Sequence, residues 1–326
     1  MEVIKKIAAI ILRIGISIVL LIVLFRQVDI KGMFGIVKSA NPILLLLAFL
    51  VMLFCYILSF FRWKMLLDAI NIKPPAGRVV LSFAGGLFFN LFLPSTIGGD
   101  IMRSLDLSTH TNKPKEVIAT VFLDRLSGYV GLVLLASTAL ILGWHAIQVK
   151  AAVFSVIIIT LILVAILVVL FNNFVYKKLN KILHSPSAGK IRELITSLHQ
   201  EIHLFRHRKG LILKNILVSV LIQGFSPVSF YIVALSLGIK VNIIYFILFF
   251  PIIGAITMLP ISIGGLGLRD ATTVFFFSRI GVAKDLAFAT SLLGFFFIFI
   301  IGILGGIIYV FTVHNRRIQR YKSPSL

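Results

Sequence analysis

Polar residues along this chain punctuate long apolar runs and do not alternate with apolar ones. Six runs carry roughly twenty apolar positions each, at residues 7–25, 42–61, 117–142, 151–171, 211–237 and 286–313. At about 1.5 Å per residue, such a run crosses the roughly 30 Å of hydrocarbon in a bilayer. The pattern therefore predicts six full transmembrane helices. Two further apolar stretches, 79–99 and 241–265, are broken near their ends by a proline and a glycine pair. Both carry the string L-P-x-x-I-G-G-x-x-x-R, from Leu93 to Arg103 and again from Leu259 to Arg269, 166 residues later. Pro94 and Pro260 each remove a backbone N–H and end a helix. Each stretch is expected to dip into the membrane and return to the side it entered from.

Charge orients the chain. The segment 172–210 holds eight Lys and Arg residues against Glu193 and Glu201. Lys5 and Lys6 lie at the start, and Arg316, Arg317, Arg320 and Lys322 in the tail. Basic loops face the cytoplasm. All three segments reach that side only if 79–99 dips in and returns and 241–285 does the same from the outer side. The loop 26–41, with Arg26, Lys31 and Lys38 against Asp29, is more basic than an outer loop should be. The expected fold is an all-α polytopic membrane protein: six full spans plus two re-entrant broken-helix segments in an inverted repeat. One half is 1–150. The other is 151–326 and includes the basic cytoplasmic loop 172–210. An odd number of crossings per half turns the second upside down, as in many transporters. The expected location is the plasma membrane, with both termini cytoplasmic.

Composition agrees. Apolar residues make up 59% of the chain and charged ones only 13%, whereas soluble domains carry about a quarter charged. The first run lacks the short apolar core and small-residue cleavage site of a signal peptide. The formal net charge is +21. In a soluble protein that would suggest nucleic acid, but in this setting the expected partners are anionic phospholipids. No nucleic-acid module accompanies the basic residues. Cys55 is the only cysteine, so no intramolecular disulfide forms. The sequence has no P-loop, G-x-S-x-G, H-E-x-x-H or cysteine cluster. ATP-driven pumping, a cofactor and a metal are therefore not expected, and no catalytic residue is assigned.

The repeated string suggests an anion site. Gly98–Gly99 and Gly264–Gly265 permit sharp turns and close approach. The helices that resume after them direct free N–H groups and a positive dipole end inward. Arg103 and Arg269 add fixed cations suited to a phosphate headgroup. The plainer alternative is that the glycines serve packing and the arginines snorkel to headgroups. In VFLDRLSGYVGL, Asp124 and Arg125 lie inside a span, where an unpaired charge costs about 3 kcal/mol. Arg125 can meet Asp100 or Asp106, and Asp124 can meet Arg103 or Arg269. The alternative for these is an ion pair that only locks helices together. Asp100 and Asp270, beside the glycine turns, are further candidates to balance the arginines. Asn90 can cap freed carbonyls or touch a headgroup. Arg62 and Lys64 around Trp63 read as an interfacial anchor, Arg13 as a snorkelling residue, and Gly302 with Gly306 as a packing motif. Ile191, Leu194, Ile195, Leu198, Ile202 and Phe205 form a helical apolar stripe, predicting a helix on the inner membrane surface. His199, His203 and His207 share its solvated face.

With these residues placed, the chain resembles the lysylphosphatidylglycerol synthase transmembrane family, also described as flippase-like membrane proteins. The resemblance rests on NLFLPSTIGGDIMR, VFLDRLSGYVGL and LPISIGGLGLRDA and covers nearly the whole chain. That family includes the membrane half of the multiple peptide resistance factor, which is associated with antibiotic resistance and moves aminoacylated phosphatidylglycerol to the outer leaflet. The resemblance thus implies lipid transport: a flippase or translocase that moves or binds an anionic, including lysylated, phosphatidylglycerol. A cytoplasmic domain of those proteins transfers lysine from lysyl-tRNA to the lipid. The sequence ends at Leu326 without that domain, so lysyltransferase activity is not expected. The alternative is a membrane component of a phosphatidylglycerol lysyltransferase or lipid-linked sugar enzyme, or a scaffold for a separate lipid-modifying enzyme. A homodimer is compatible with either.

Overall fold

The computed structural model describes residues 35, 37–93, 98–142, 150–172, 174–176, 178, 196, 205, 208–257 and 265–322, with side chains to residue 312. The described residues form nine helices and no strand. They are α1 (Pro42–Ala69), α2 (Ala76–Phe92), α3 (Gly98–Thr111), α4 (Pro114–Leu142), α5 (Lys150–Phe171), α6 (Lys209–Ser236), α7 (Ile243–Thr257), α8 (Leu268–Ser278) and α9 (Lys284–Lys322).

Five of these, α1, α4, α5, α6 and α9, are long and apolar enough to cross a membrane. The expected span 7–25 lies outside the described residues, as do Arg13, the three histidines and most of the loop 172–210. Large apolar side chains point outward along the five long helices, with Phe154, Leu161 and Ile162 on α5 more than half exposed. An apolar exterior is what lipid contact requires. The helix α1 starts where Asn41 Oδ1 accepts from the Ile43 and Leu44 N–H groups, with Pro42 at the first helical position.

The short helices pack as two hairpins. In the first, Arg78 near the start of α2 bonds Asp106 near the end of α3, and Gly86 faces Gly99. The two helices are therefore antiparallel, and the chain enters and leaves at one end. In the second, the ring of Phe246 near the start of α7 meets that of Phe277 at the end of α8 at a tilt, with centroids 4.7 Å apart. The broken stretches of the sequence hold α2 and α7, and α3 and α8 resume at or just after their glycine pairs.

The order long, short, short, long thus occurs twice, as α1–α4 and as α6–α9. The helix α1 packs most extensively on α6. Asn41 N–H bonds Ser236 O, Ser229 Oγ bonds Ala48 O, and Asn215 Nδ2 bonds Arg62 O. Early residues of one helix meet late residues of the other, so α1 and α6 run antiparallel. The remaining contacts pair up in the same sense: α2 packs on α9 as α7 packs on α4. In the first of these, Gly305 and Gly306 let α9 approach. A methyl group on Gly305 would lie 2.7 Å from the Ala84 carbonyl oxygen, and one on Gly306 would strike the Phe88 ring. The packing role expected of Gly302 and Gly306 is what the structure shows, since Gly302 likewise faces Leu91.

This contact predicts opposite outcomes for two glycine substitutions, readable as thermal unfolding of the detergent-purified protein. Gly305→Val should lower stability by about 1–3 kcal/mol, as overpacking does. Gly224→Ala, inside α6 with nothing within 4 Å of the added methyl, should leave stability unchanged or raise it by up to about 1 kcal/mol through helix propensity.

Candidate functional site

The site begins at the break between α2 and α3. Gly99 sits so close to Gly86 O and Asn90 that no β-carbon fits there. Its N–H, one of the unpaired donors at the start of α3, is taken by Asn90 Oδ1 at 2.8 Å. Asn90 therefore caps a freed N–H, not a freed carbonyl. Gly265, before α8, has φ of +77°, a conformation glycine adopts without strain. Gly264, Pro94 and Pro260 lie outside the described residues.

Both breaks aim an arginine at the interior. From α3, Arg103 reaches α4, where its Nη2 donates to Asp124 Oδ2 at 2.9 Å. Its Nε lies 3.1 Å from Asp100 Oδ1, close enough to attract but without hydrogen-bond alignment, so this buried N–H has no acceptor. Its guanidinium lies over the Trp63 ring at 4.8 Å, a cation–π contact. Asp124, only 3% exposed, also accepts from Arg62 Nε on α1 at 2.7 Å. Asp100, in turn, accepts from Arg125 Nε at 2.5 Å. The result is a continuous chain of charge, Arg62–Asp124–Arg103–Asp100–Arg125, that begins and ends in arginine. It ties α1, α3 and α4 together. Arg62 Nη1 extends it to Ser219 Oγ on α6 at 3.1 Å.

The second hairpin is simpler. Arg269 Nη2 pairs with Asp270 Oδ1 at 3.0 Å, and Arg269 Nε donates to Ser291 Oγ at 3.1 Å. Ser291 Oγ donates to Asp270 Oδ1 at 2.6 Å, and Asp270 Oδ2 caps the Gly267 N–H. Arg269 lies over the Phe295 ring at 4.7 Å. Each hairpin's arginine thus rests on an aromatic ring and reaches the following long helix. In α4 it finds a carboxylate, and in α9 only a hydroxyl.

The two arginine systems face one cavity of about 380 Å³ between the hairpins and α1, α4, α6 and α9. Arg62, Arg103, Arg125 and Arg269 line it against Asp100 and Asp124, and Asp270 pairs with Arg269 from behind, so the cluster carries an excess of one positive charge. Asn90, Gln223, Ser59, Ser226, Thr257 and Tyr56 add neutral polar groups. Pro227 and Pro251 interrupt α6 and α7 beside it. The cavity can hold an anion of headgroup size with several donors.

Of the residues singled out from the sequence, Arg103, Arg269, Asp124, Arg125, Asp100 and Asn90 line this one cavity. Asp270 stands behind Arg269, and Gly98, Gly99 and Gly265 shape the hairpins. Of the two partners open to each charge, Asp124 takes Arg103 and Arg125 takes Asp100, while Asp106 belongs elsewhere. Arg62 and Trp63 are not an interfacial anchor: Arg62 is in the charge chain and Trp63 is fully buried, its Nε1 donating to Thr120. The available signal was that no glycine, proline or asparagine follows Phe61 until Asn71. The helix therefore runs past Arg62 to Ala69 and carries it inward. Gln223, Ser219 and Asn215 of α6 carry no charge, and nothing in the sequence distinguishes them.

A family model described as the lysylphosphatidylglycerol synthase TM region matches residues 10–306. A UPF0104 membrane protein of Pyrococcus horikoshii is 24% identical, over 93% of this chain and 96% of that protein. A UPF0104 membrane protein of Methanothermobacter thermautotrophicus is 21% identical, over 78% of this chain and 79% of its own length.

If the charge chain acts as a unit, Asp124→Asn leaves Arg62 without a carboxylate and Arg103 with Asp100 alone. It should cost about 3–5 kcal/mol. The double variant Arg62→Gln/Asp124→Asn should lose less than the sum of its single variants by about 1 kcal/mol or more. Chemical or thermal unfolding measures both, and strict additivity would show that the pair does not interact.

Proposed function

This chain belongs to the lysylphosphatidylglycerol synthase transmembrane-region family, and on that premise we propose that it takes the headgroup of an anionic phospholipid into its central cavity and passes it between leaflets. One observation carries the reading. Four arginines, Arg103 and Arg269 from the hairpins with Arg62 from α1 and Arg125 from α4, line a cavity where three aspartates, Asp100, Asp124 and Asp270, pair with them. Uncompensated charge is costly within hydrocarbon, so the one cation left over there favours an anionic occupant. Acyl chains would stay in the bilayer while the headgroup crosses.

Topology supports the same reading. The two series of helices begin with α1 and α6, which run antiparallel, so we read 1–150 and 151–326 as an inverted repeat with re-entrant hairpins entering from opposite sides. That arrangement gives one site two routes of access. The basic segment 172–210 and both termini then face the cytoplasm of a cell membrane. Lysylated phosphatidylglycerol fits through its phosphate, with Asp100 and Asp124 available to its amine. A second reading, the membrane component of a phosphatidylglycerol-modifying enzyme, rests on the word synthase in the family's description. In that role the same cavity presents lipid to a separate catalytic partner.

Reconstitution in vesicles with fluorescent phosphatidylglycerol, read by loss of signal to an external quencher, separates these readings. The wild type should speed the exchange of label between leaflets. Arg103→Ala and Arg269→Ala should each slow it by about tenfold or more, the effect of losing one charged hydrogen bond of about 1.5–3 kcal/mol. Binding without exchange would favour the second reading. Exchange at wild-type rate in both variants would remove the site.

A further inference from the structure

A second cavity, of about 410 Å³, opens where four helix ends meet: the ends of α1 and α3 and the starts of α2 and α4. It shares no lining residue with the central cavity. Both turns that frame it pivot on an asparagine in the left-handed region, Asn71 at φ 57° and Asn112 at φ 53°, which asparagine tolerates better than most residues. Pro74 and Pro75 stiffen the next step. The turns carry Lys73 and Lys113 to the rim, both exposed, while Arg78 forms the buried wall. The lining thus presents three cations and His110, and no acidic residue.

The nearby carboxylate is engaged behind the wall. Asp106 Oδ1 accepts from Arg78 Nη2 at 2.7 Å, and its Oδ2 accepts from Ser82 Oγ. Among the described residues neither lysine joins an ion pair. The helix α2 starts beside them with no side-chain cap and no acidic residue in its first turn, so its positive dipole end is unanswered by the protein. Arg62 lines the central cavity, and Ala69 lies seven residues further along α1, about 10 Å at 1.5 Å per residue. The second cavity therefore lies beyond the central one, at the end of α1.

We propose that this cavity is a second anion site, specific for a phosphate group and separate from the central cavity. The phosphate belongs either to an anionic phospholipid of the adjacent leaflet or to a soluble phosphate compound, since both present the same charged oxygens. Lys73 and Lys113 bind it from the rim, and Arg78 fixes the floor.

The test uses full-length protein in detergent, with the buried Cys55 removed (Cys55→Ala) and Thr111→Cys placed in the cavity wall as a reporter. Maleimide labelling is followed with dihexanoylphosphatidylglycerol, dihexanoylphosphatidylcholine or inorganic phosphate. At a probe concentration about four times its Kd, labelling should slow roughly fivefold by mass action. Protection by the phosphatidylglycerol alone assigns the site to lipid, and protection by inorganic phosphate as well assigns it to phosphate of either source. Lys73→Gln/Lys113→Gln should abolish protection, and Arg103→Ala should leave it intact, which separates this site from the central one. No protection by any probe, equal protection by phosphatidylcholine, survival in the double lysine variant, or loss in Arg103→Ala would each overturn the proposal.

Discussion

Every feature of this protein follows from placing charge where water is scarce. An isolated arginine or aspartate inside a bilayer is driven out, neutralised or paired. Here five such groups lie in one alternating line, and each aspartate touches two arginines. That line joins α1, α3 and α4, and through Ser219 it reaches α6. Removing either aspartate leaves an arginine without a carboxylate, so the line resists piecemeal change. Because it begins and ends in arginine, it also leaves a positive surplus on the cavity side. One arrangement thus holds the helices together and lines the cavity with guanidinium groups.

The two hairpins differ in a way that bears on function. Arg103 is bound between Asp100 on its own helix and Asp124 on α4. Arg269 has one carboxylate, Asp270, next to it in sequence, and a serine on α9. Within the repeated string Asp270 occupies the position of Ser104, not that of Asp100. The second hairpin is therefore anchored locally, while the first is anchored to α1 and α4. An anion that draws on Arg103 competes with Asp124 and Asp100 for the same guanidinium. One that draws on Arg269 competes with a weaker set of partners.

Much of this was legible in the sequence because the membrane restricts what a chain can do. Apolar runs of full length became α1, α4, α5, α6 and α9. The proline and glycine pair marked both breaks, since few other signals end a helix inside an apolar stretch. Charges within spans pointed at the cavity, because nothing else keeps Asp124 or Arg125 there. Less legible was Arg62, which stands at the edge of an apolar run where a snorkelling residue would stand, although the helix continues past it. Gln223 and Ser219 were not legible at all: their place in the site comes from the antiparallel register of α1 on α6, and a long-range register leaves no local mark. Asn90 was half legible. Its position by the break suggested a cap, and only the fold of α3 against α2 shows that it serves the Gly99 N–H.

The central claim is that the two hairpins enter from opposite sides onto one cavity. It is tested most directly by placing one cysteine at a time in the Cys55→Ala protein, at Lys115→Cys beside the α3–α4 turn or at Ala283→Cys beside the α8–α9 turn. Both positions are exposed. Labelling sealed vesicles of known orientation with a membrane-impermeant maleimide should modify one variant from the outside and the other only after the membrane is opened. Labelling of both from the same side would contradict the account.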